Sequence, residues 1–211
     1  MLQDVYEEMV RFASAGDFAD ELIVARAEYV ARTGDMFETD SNFESRIAAF
    51  LEWYIFDRPI RGKNHTPAKL YIDSVRDGLT TPDVNRLRGL TRTILSLFQF
   101  KKVKGDIVRV VDLLSGEKFE VVERRKLAGV DPGDILEARL VPIDDKHYFA
   151  EAFTCHPRES HKAILKAAKV FRENGKEEGR GDLVHRVAYL SNRCERYKHV
   201  SPKQIFNDLN V

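Results

Sequence analysis

The stretch at residues 104–124, KGDIVRVVDLLSGEKFEVVER, decides how the chain is read. Two β-rich runs are separated there by Ser115, Gly116 and Glu117, which is hairpin chemistry, and the hydrophobic period is two. Downstream, VDPGD is a turn leading into ILEARLVPI at 135–143, and Asp144 with Asp145 connects that run to HYFAEAF at 147–153. Four or five short strands in so little chain are too few for a sandwich and fit a small closed or half-open barrel.

On both sides of these strands the period is helical. Leu2, Val5, Tyr6, Met9, Val10 and Ala13 predict a first helix, and Leu22, Ile23, Ala27 and Val30 a second over 18–33 that stops at Gly34. Ser41 and Glu44 have capping-box spacing before a third helix carrying Phe43, Ile47, Phe50, Leu51 and Tyr54, with Pro59 as its stop. Thr66-Pro67 and Thr81-Pro82 each read as an N-cap followed by proline. The second pair opens a helix expected to run through Val84, Leu87, Leu90, Ile94, Leu95 and Phe98. Beyond Pro157 a helix with Ile164, Leu165, Ala168 and Phe171 is followed by the charged loop NGKEEGRG, and Asp182 is expected to cap a last long helix.

The fold class is therefore α+β, with N-terminal helices, a small central antiparallel β-barrel-like unit and C-terminal helices. Four regions follow: 1–58, 59–98, 99–154 and 155–211, packed as one or two compact domains. The chain is long enough to bury a core without disulfides, and 43% apolar with 32% charged residues is a globular balance. Cys155 and Cys194 are too few for a disulfide framework, which points to a reducing compartment, with one bridge left open. MLQDVYEEMVRF lacks the basic and apolar regions of a secretory signal, and no apolar run is long enough to span a membrane, so a cytoplasmic protein is expected. The net charge of zero hides an asymmetry: residues 1–58 hold 13 Asp/Glu and 5 Lys/Arg, and the remainder 21 and 29. The acidic helices either dock on the basic remainder or leave it open to an acidic partner.

Three segments, FLEWYIFDR at 50–58, DIVRVVDLLSGEKFEVVER at 106–124 and GDILEARLVP at 133–142, together resemble an uncharacterised bacterial region that accompanies the SEC-C zinc motif. The resemblance covers roughly Phe50 to Phe153 and implies a helix entering a small β-unit in a cytosolic bacterial protein, with no activity to carry over. The cysteine cluster of the zinc motif itself is absent. Arg124, Arg125 and Lys126 lack the R-x-x-x-R and D/N-x-S-x-x-G spacings of PilZ cyclic-dinucleotide binders.

Among chemistry-bearing runs, CHPRESH gathers Cys155, His156, Glu159 and His161, all zinc-competent types without a recognised ligand spacing, and Pro157 favours a helix start over a metal site. A Cys155 nucleophile with His185 or His161 as base has no support from spacing. Phosphate-cradling glycine motifs are missing. Arg86, Arg88 and Arg92, then Lys101, Lys102 and Lys104, then Arg124, Arg125 and Lys126 form three basic clusters flanking the β-unit. With Phe98, Phe100 and Phe119 they suggest a nucleic-acid face, weakened by Asp106, Asp112, Glu117, Glu120 and Glu123. Trp53 and Phe56 point away from Phe50 and Tyr54, so that helix is either buried on two sides or offers a patch to a partner. The leading expectation is a non-enzymatic adaptor or regulatory protein that binds another protein and needs no cofactor. Nucleic-acid binding is the alternative and a Cys/His metal enzyme the third; the sequence leaves the oligomeric state open.

Overall fold

The computed structural model describes residues 2–78, 80–175 and 179–209, with the backbone alone for residues 2, 3, 17, 81, 82, 85 and 86. Its elements run α1 (Leu2–Ser14), α2 (Ala19–Thr33), α3 (Phe43–Phe56), α4 (Pro67–Val75), α5 (Thr81–Gly89), β1 (Ile94–Lys104), β2 (Ile107–Asp112), β3 (Lys118–Val122), β4 (Ile135–Ile143), β5 (Lys146–Cys155), α6 (His161–Asn174), α7 (Arg180–Arg196) and α8 (Pro202–Ile205). The class is α+β, with helices before and after a central sheet. No helix among the described residues is long and apolar enough to cross a membrane.

The strands form a ring in the order β1-β2-β3-β5-β4. All neighbours are antiparallel except β3 and β5, which are parallel and paired only at Val121↔His147 and Val122↔Tyr148. The barrel-like, mainly antiparallel unit expected from the sequence is present, with one short parallel ladder between β3 and β5. Phe98, Phe100, Val108, Val110, Val121, Leu136, Ala138, Leu140 and Phe149 fill its interior. Phe98 and Phe100 are core residues, not stacking platforms, and Phe119 lies edge-on between Phe98 and His147.

The helix expected through Phe98 ends at Gly89, and Ile94, Leu95 and Phe98 belong to β1. This strand is covered on both faces: Leu97 packs toward α6 and α7, while Phe98 and Phe100 fill the ring. A strand buried on both faces reads as a continuous apolar run, which periodicity cannot separate from a helix. Three caps also differ. Thr66 caps α4 as expected, but Thr80, not Thr81, caps α5; Asn42 stands at the start of α3 while Ser41 donates to Glu195; and Gly179 precedes α7, leaving Asp182 in its first turn. Residues 176–178 of the charged loop lie outside the described residues.

α3 lies between the N-terminal helices and the outer face of β4 and β5. Its start is tied to the end of α2 by Arg46, a buried side chain that donates to the carbonyls of Thr33, Gly34 and Asp35 and so satisfies a helix C-terminus. Its far end is tied to α2 by Arg58, which donates to Glu21 and Glu28 at 2.6 Å each. Burial opposes ionisation of Glu21, but hydrogen bonds from Arg58 and Arg61 outweigh it and hold that carboxyl down to about 2. Glu21 and Glu28, two of the thirteen carboxylates of the N-terminal region, are therefore answered locally.

Every residue of β4 from Ile135 to Val141 is buried, so its outward polar side chains, Glu137 and Arg139, are ionisable groups without water. Arg139 forks onto both carboxylate oxygens of Asp57, donates to Thr93 Oγ1 at 2.8 Å, and has Glu52 3.5 Å from its Nε. Between Ala138 and Leu140 the register with β5 shifts, leaving Ala150 to Ala152 opposite Arg139 alone. Such a bulge frees backbone groups. Glu52 accepts the Ala152 N–H at 2.6 Å, and Arg125 donates to the carbonyls of Ala150 and Glu151, so the irregular segment is satisfied from both sides. Burial pushes the carboxyl of Glu52 up to about 7 and that of Glu137 up to about 8.

Two outcomes follow from this packing. A Cβ on Gly89 would meet the carbonyl oxygen of Pro142 at 2.0 Å, backbone against backbone, so Gly89→Ala is expected to lower stability by roughly 2–3 kcal/mol in denaturant unfolding; an unchanged midpoint contradicts the packing of α5 on β4. Burial keeps Glu137 protonated in the folded state up to about 8, whereas the unfolded chain ionises it near the ordinary glutamate value of 4.5, so its contribution is full at low pH and is lost as pH rises toward 8. Glu137→Gln should flatten the fall in unfolding free energy between pH 5 and pH 8, measured by denaturant unfolding, by on the order of 2 kcal/mol. Parallel profiles for the two proteins would place that carboxyl in water.

Candidate functional site

A cleft of about 670 Å³ opens where the N-terminal helices, the sheet and α7 meet. Arg32 at the end of α2 and Trp53 and Asp57 at the end of α3 form one wall; Thr93, Ile94 and Leu95 lead into β1; Asp112, Ser115 and Glu117 come from the β2–β3 turn; Arg180, Gly181 and His185 come from α7. Asp112 builds the junction. Its buried carboxylate accepts from Ser96 Oγ at 2.5 Å and from the N–H of Leu114 at 2.8 Å, which shapes the turn, and from Arg180 at 2.9 Å, which fixes the start of α7.

His185 lies in the floor. It is 4% exposed, edge-on to Tyr29 and Trp53, and neither ring nitrogen has a hydrogen-bond partner. Burial, reinforced by Arg32, drives its pKa down to about 4, so the ring is neutral and offers one donor and one acceptor. Behind it a void of about 10 Å³ is lined by Glu52, Glu137 and Arg139 as well as His185. That void has room for at most about one water, and the two ring nitrogens diverge too widely for one water to serve both. Both ring nitrogens are therefore buried and unpartnered between the cleft and this void.

The residues singled out from the sequence distribute differently. Trp53 lines the cleft and is 6% exposed, while Phe56 lies half-buried beneath the Arg139 guanidinium. None of the eight basic residues whose side chains are described lines the cleft. The side chain of Arg86 lies outside the described residues; Arg88 is exposed near the end of α5, and Arg92 sits in the turn after it, not on the helix. Lys101, Lys102 and Lys104 are exposed at the end of β1, with Lys101 donating to Gln99 at 2.5 Å. Arg124 and Lys126 are exposed, but Arg125 between them is committed to Glu123 and the β5 bulge.

Cys155, His156, Glu159 and His161 do not converge. Among the described residues no group of three His, Cys, Asp or Glu side chains is arranged to hold a metal ion. Both cysteines are free thiols, and burial pushes each above its ordinary pKa, away from the thiolate. His156 instead meets Ser191, Nδ1 to Oγ 2.7 Å, while its Nε2 lies 3.7 Å from Glu137. This line of Ser, His and Glu has the order of a catalytic relay, but the carboxyl is too distant for a hydrogen bond. Burial also keeps His156 neutral, down to about 3, and neither His156 nor Ser191 lines the cleft. Its chemistry is that of a buried structural contact.

Arg32, Asp112, Arg180 and Arg139 had no motif to mark them. The one available signal was the alternation in ILEARLV, where charges occupy one face of a strand whose other face is apolar.

The model of a family of unknown function (DUF7986) matches residues 20–189. No curated protein and no solved structure matches the chain. Nothing in the family match ties the chain to the SEC-C motif, which the three resembling segments had suggested. The matched stretch runs from α2 well into α7 and contains every residue that lines the cleft, from Arg32 to His185, and the chain belongs to this family of unknown function.

Proposed function

We propose that the protein is a non-enzymatic regulatory protein of the cytosol that works by binding: the cleft takes a small molecule, and the occupied junction is read by a protein partner. The observation that carries this reading is His185, a buried neutral ring with unpartnered nitrogens in the floor of an open cleft. A buried polar group without a partner costs about 1–3 kcal/mol, and a ligand that supplies the partner recovers it. Size agrees, since small-molecule sites span about 300–1,000 Å³. Because α2, α3, β1 and α7 all contribute, an occupant would link elements far apart in the chain, the requirement for passing occupancy to a partner.

Binding is favoured over catalysis by the state of the cleft hydroxyls. Thr93 Oγ1 accepts from Arg139 and Ser115 Oγ accepts from the Glu117 N–H, and neither is hydrogen-bonded to a base that would activate it. A nucleic-acid reading draws on exposed Lys101, Lys102 and Lys104, but the neighbouring Arg109 is paired with Glu120 at 2.6 Å and Arg125 with Glu123 at 2.7 Å, which interrupts a continuous basic face.

Trp53 is the only tryptophan and lines the cleft, so its fluorescence reports occupancy directly. Screening small fragments of neutral, cationic and anionic character against the full chain should give hits that shift Trp53 emission and raise the thermal midpoint. A library in which nothing perturbs Trp53 at millimolar concentration contradicts the cleft as a ligand site.

A further inference from the structure

We infer that the end of the β1–β2 ribbon is a docking edge for an extended acidic segment of a protein partner, which adds to β1 as a further strand. This surface lies at the far end of β1 from Ile94 and Leu95, which line the cleft, and goes beyond the reading of the cleft as a ligand site.

The backbone gives the surface its form. β1 pairs with β4 from Ile94 to Gln99, and Phe100 still donates to the Asp134 carbonyl at 2.9 Å and accepts from the Gly133 N–H at 2.8 Å. Past Phe100 the strand continues against β2 alone, with Lys102 opposite Arg109, Val103 opposite Val108 and Lys104 opposite Ile107. Residues 101–106 are all exposed, and among the described residues no backbone group pairs with β1 on its other side there. Such an edge carries alternating donors and acceptors, which an extended peptide matches. Phosphate oxygens only accept, so a nucleic-acid backbone would use the N–H half of that edge and leave the carbonyls to water.

Charge then narrows the partner. The ladder places Ile107 beside Val122, and the Glu123 N–H donates to the Asp106 carbonyl at 2.8 Å, so residues 123–126 run alongside the tip of the ribbon. Residues 101–106 and 123–126 together hold six Lys/Arg and two Asp/Glu, and one of those carboxylates, Glu123, is already bound by Arg125. Two basic clusters that are separate in the sequence thus form one field, with Lys101, Lys102, Lys104, Arg124 and Lys126 all exposed. Lysines along an open edge oppose pairing between two copies of the same chain and favour a strand of opposite charge. Val103 shares a face with Val108, which is buried in the barrel, yet is itself 50% exposed. It offers an incoming strand an apolar foothold on the face opposite Lys102 and Lys104. The matching segment is therefore one in which carboxylates and apolar residues alternate.

The test is fluorescence anisotropy with a labelled heptapeptide of alternating glutamate and valine, titrated with the full chain. Two further probes carry the same formal charge: the peptide with proline in place of every valine, which lacks those amide donors, and a short oligothymidylate. The glutamate–valine peptide is expected to bind at least tenfold more tightly than either, and to weaken severalfold as salt is raised. Lys102→Glu combined with Lys104→Glu, both at exposed positions, should weaken it tenfold or more while leaving the circular dichroism unchanged. Equal binding of the proline peptide would reduce the contact to charge alone and overturn the inference. Tighter binding of the oligothymidylate would make this end of the barrel a nucleic-acid contact instead, and an affinity unchanged by the two reversals, or no binding at millimolar peptide, would remove the site. None of these outcomes bears on the cleft, whose own test is the fragment screen on Trp53.

Discussion

One guanidinium organises this molecule. Arg139 stands on the outer face of β4 with 1% of its side chain exposed, and arginine does not shed its proton to escape burial. An ion taken out of water costs several kcal/mol unless its partners are well placed, so the structure around Arg139 is constrained to supply them. Asp57 supplies a bidentate carboxylate from the C-terminal cap of α3, Thr93 a hydroxyl from the approach to β1, and Glu52 a second carboxylate from within α3. Those three positions fix the axial placement of α3 on the sheet. The side of Arg139 facing Phe56 is covered by that ring, with 5.2 Å between the guanidinium carbon and the ring centroid.

The cleft follows from this clamp. Asp57 and Trp53, one turn apart at the end of α3, reach the cleft only because Arg139 holds the helix end there, and Thr93 brings in the opening of β1. The bulge in β5 works in the same direction, since it exposes the Ala152 N–H that seats Glu52 beside the guanidinium. On the opposite side Asp112 plays the corresponding part for α7, joining the hairpin turn to Arg180 and so setting where His185 falls. Two ion pairs, each with one buried member, thus define the walls, and the neutral imidazole between them is left without a hydrogen-bond partner.

Much of the architecture was legible in the sequence for simple reasons. The alternating runs at 107–112 and 118–122 around Ser115, Gly116 and Glu117, and the amphipathic helix 19–33, bury one face each and show their period, while 43–56 kept its helical spacing although it is covered on two sides. β1 was hidden because both of its faces are covered, and part of it was read as the continuation of a helix. The site was less legible. Trp53 stood out as aromatic surface in excess of one helical face, whereas Asp112 and Arg180 are ordinary charged residues whose pairing spans 68 positions of chain. Arg125 shows the converse error: a residue in a basic run looks like a contact for an acidic partner, yet its donors are spent on Glu123 and on the carbonyls of a bulge no sequence pattern announces.

The central claim is that the Arg139–Asp57 pair couples α3 to the sheet, and a double-mutant cycle tests it most directly. Denaturant unfolding of the wild type, Arg139→Met, Asp57→Asn and the double variant is predicted to give a coupling energy of about 2 kcal/mol, with Arg139→Met alone costing roughly 3 kcal/mol because it leaves the buried Glu52 and its neighbour Asp57 without their cation. A coupling energy near zero, with the two single losses simply adding, would contradict the account and leave the position of α3, and with it the cleft, to apolar packing alone.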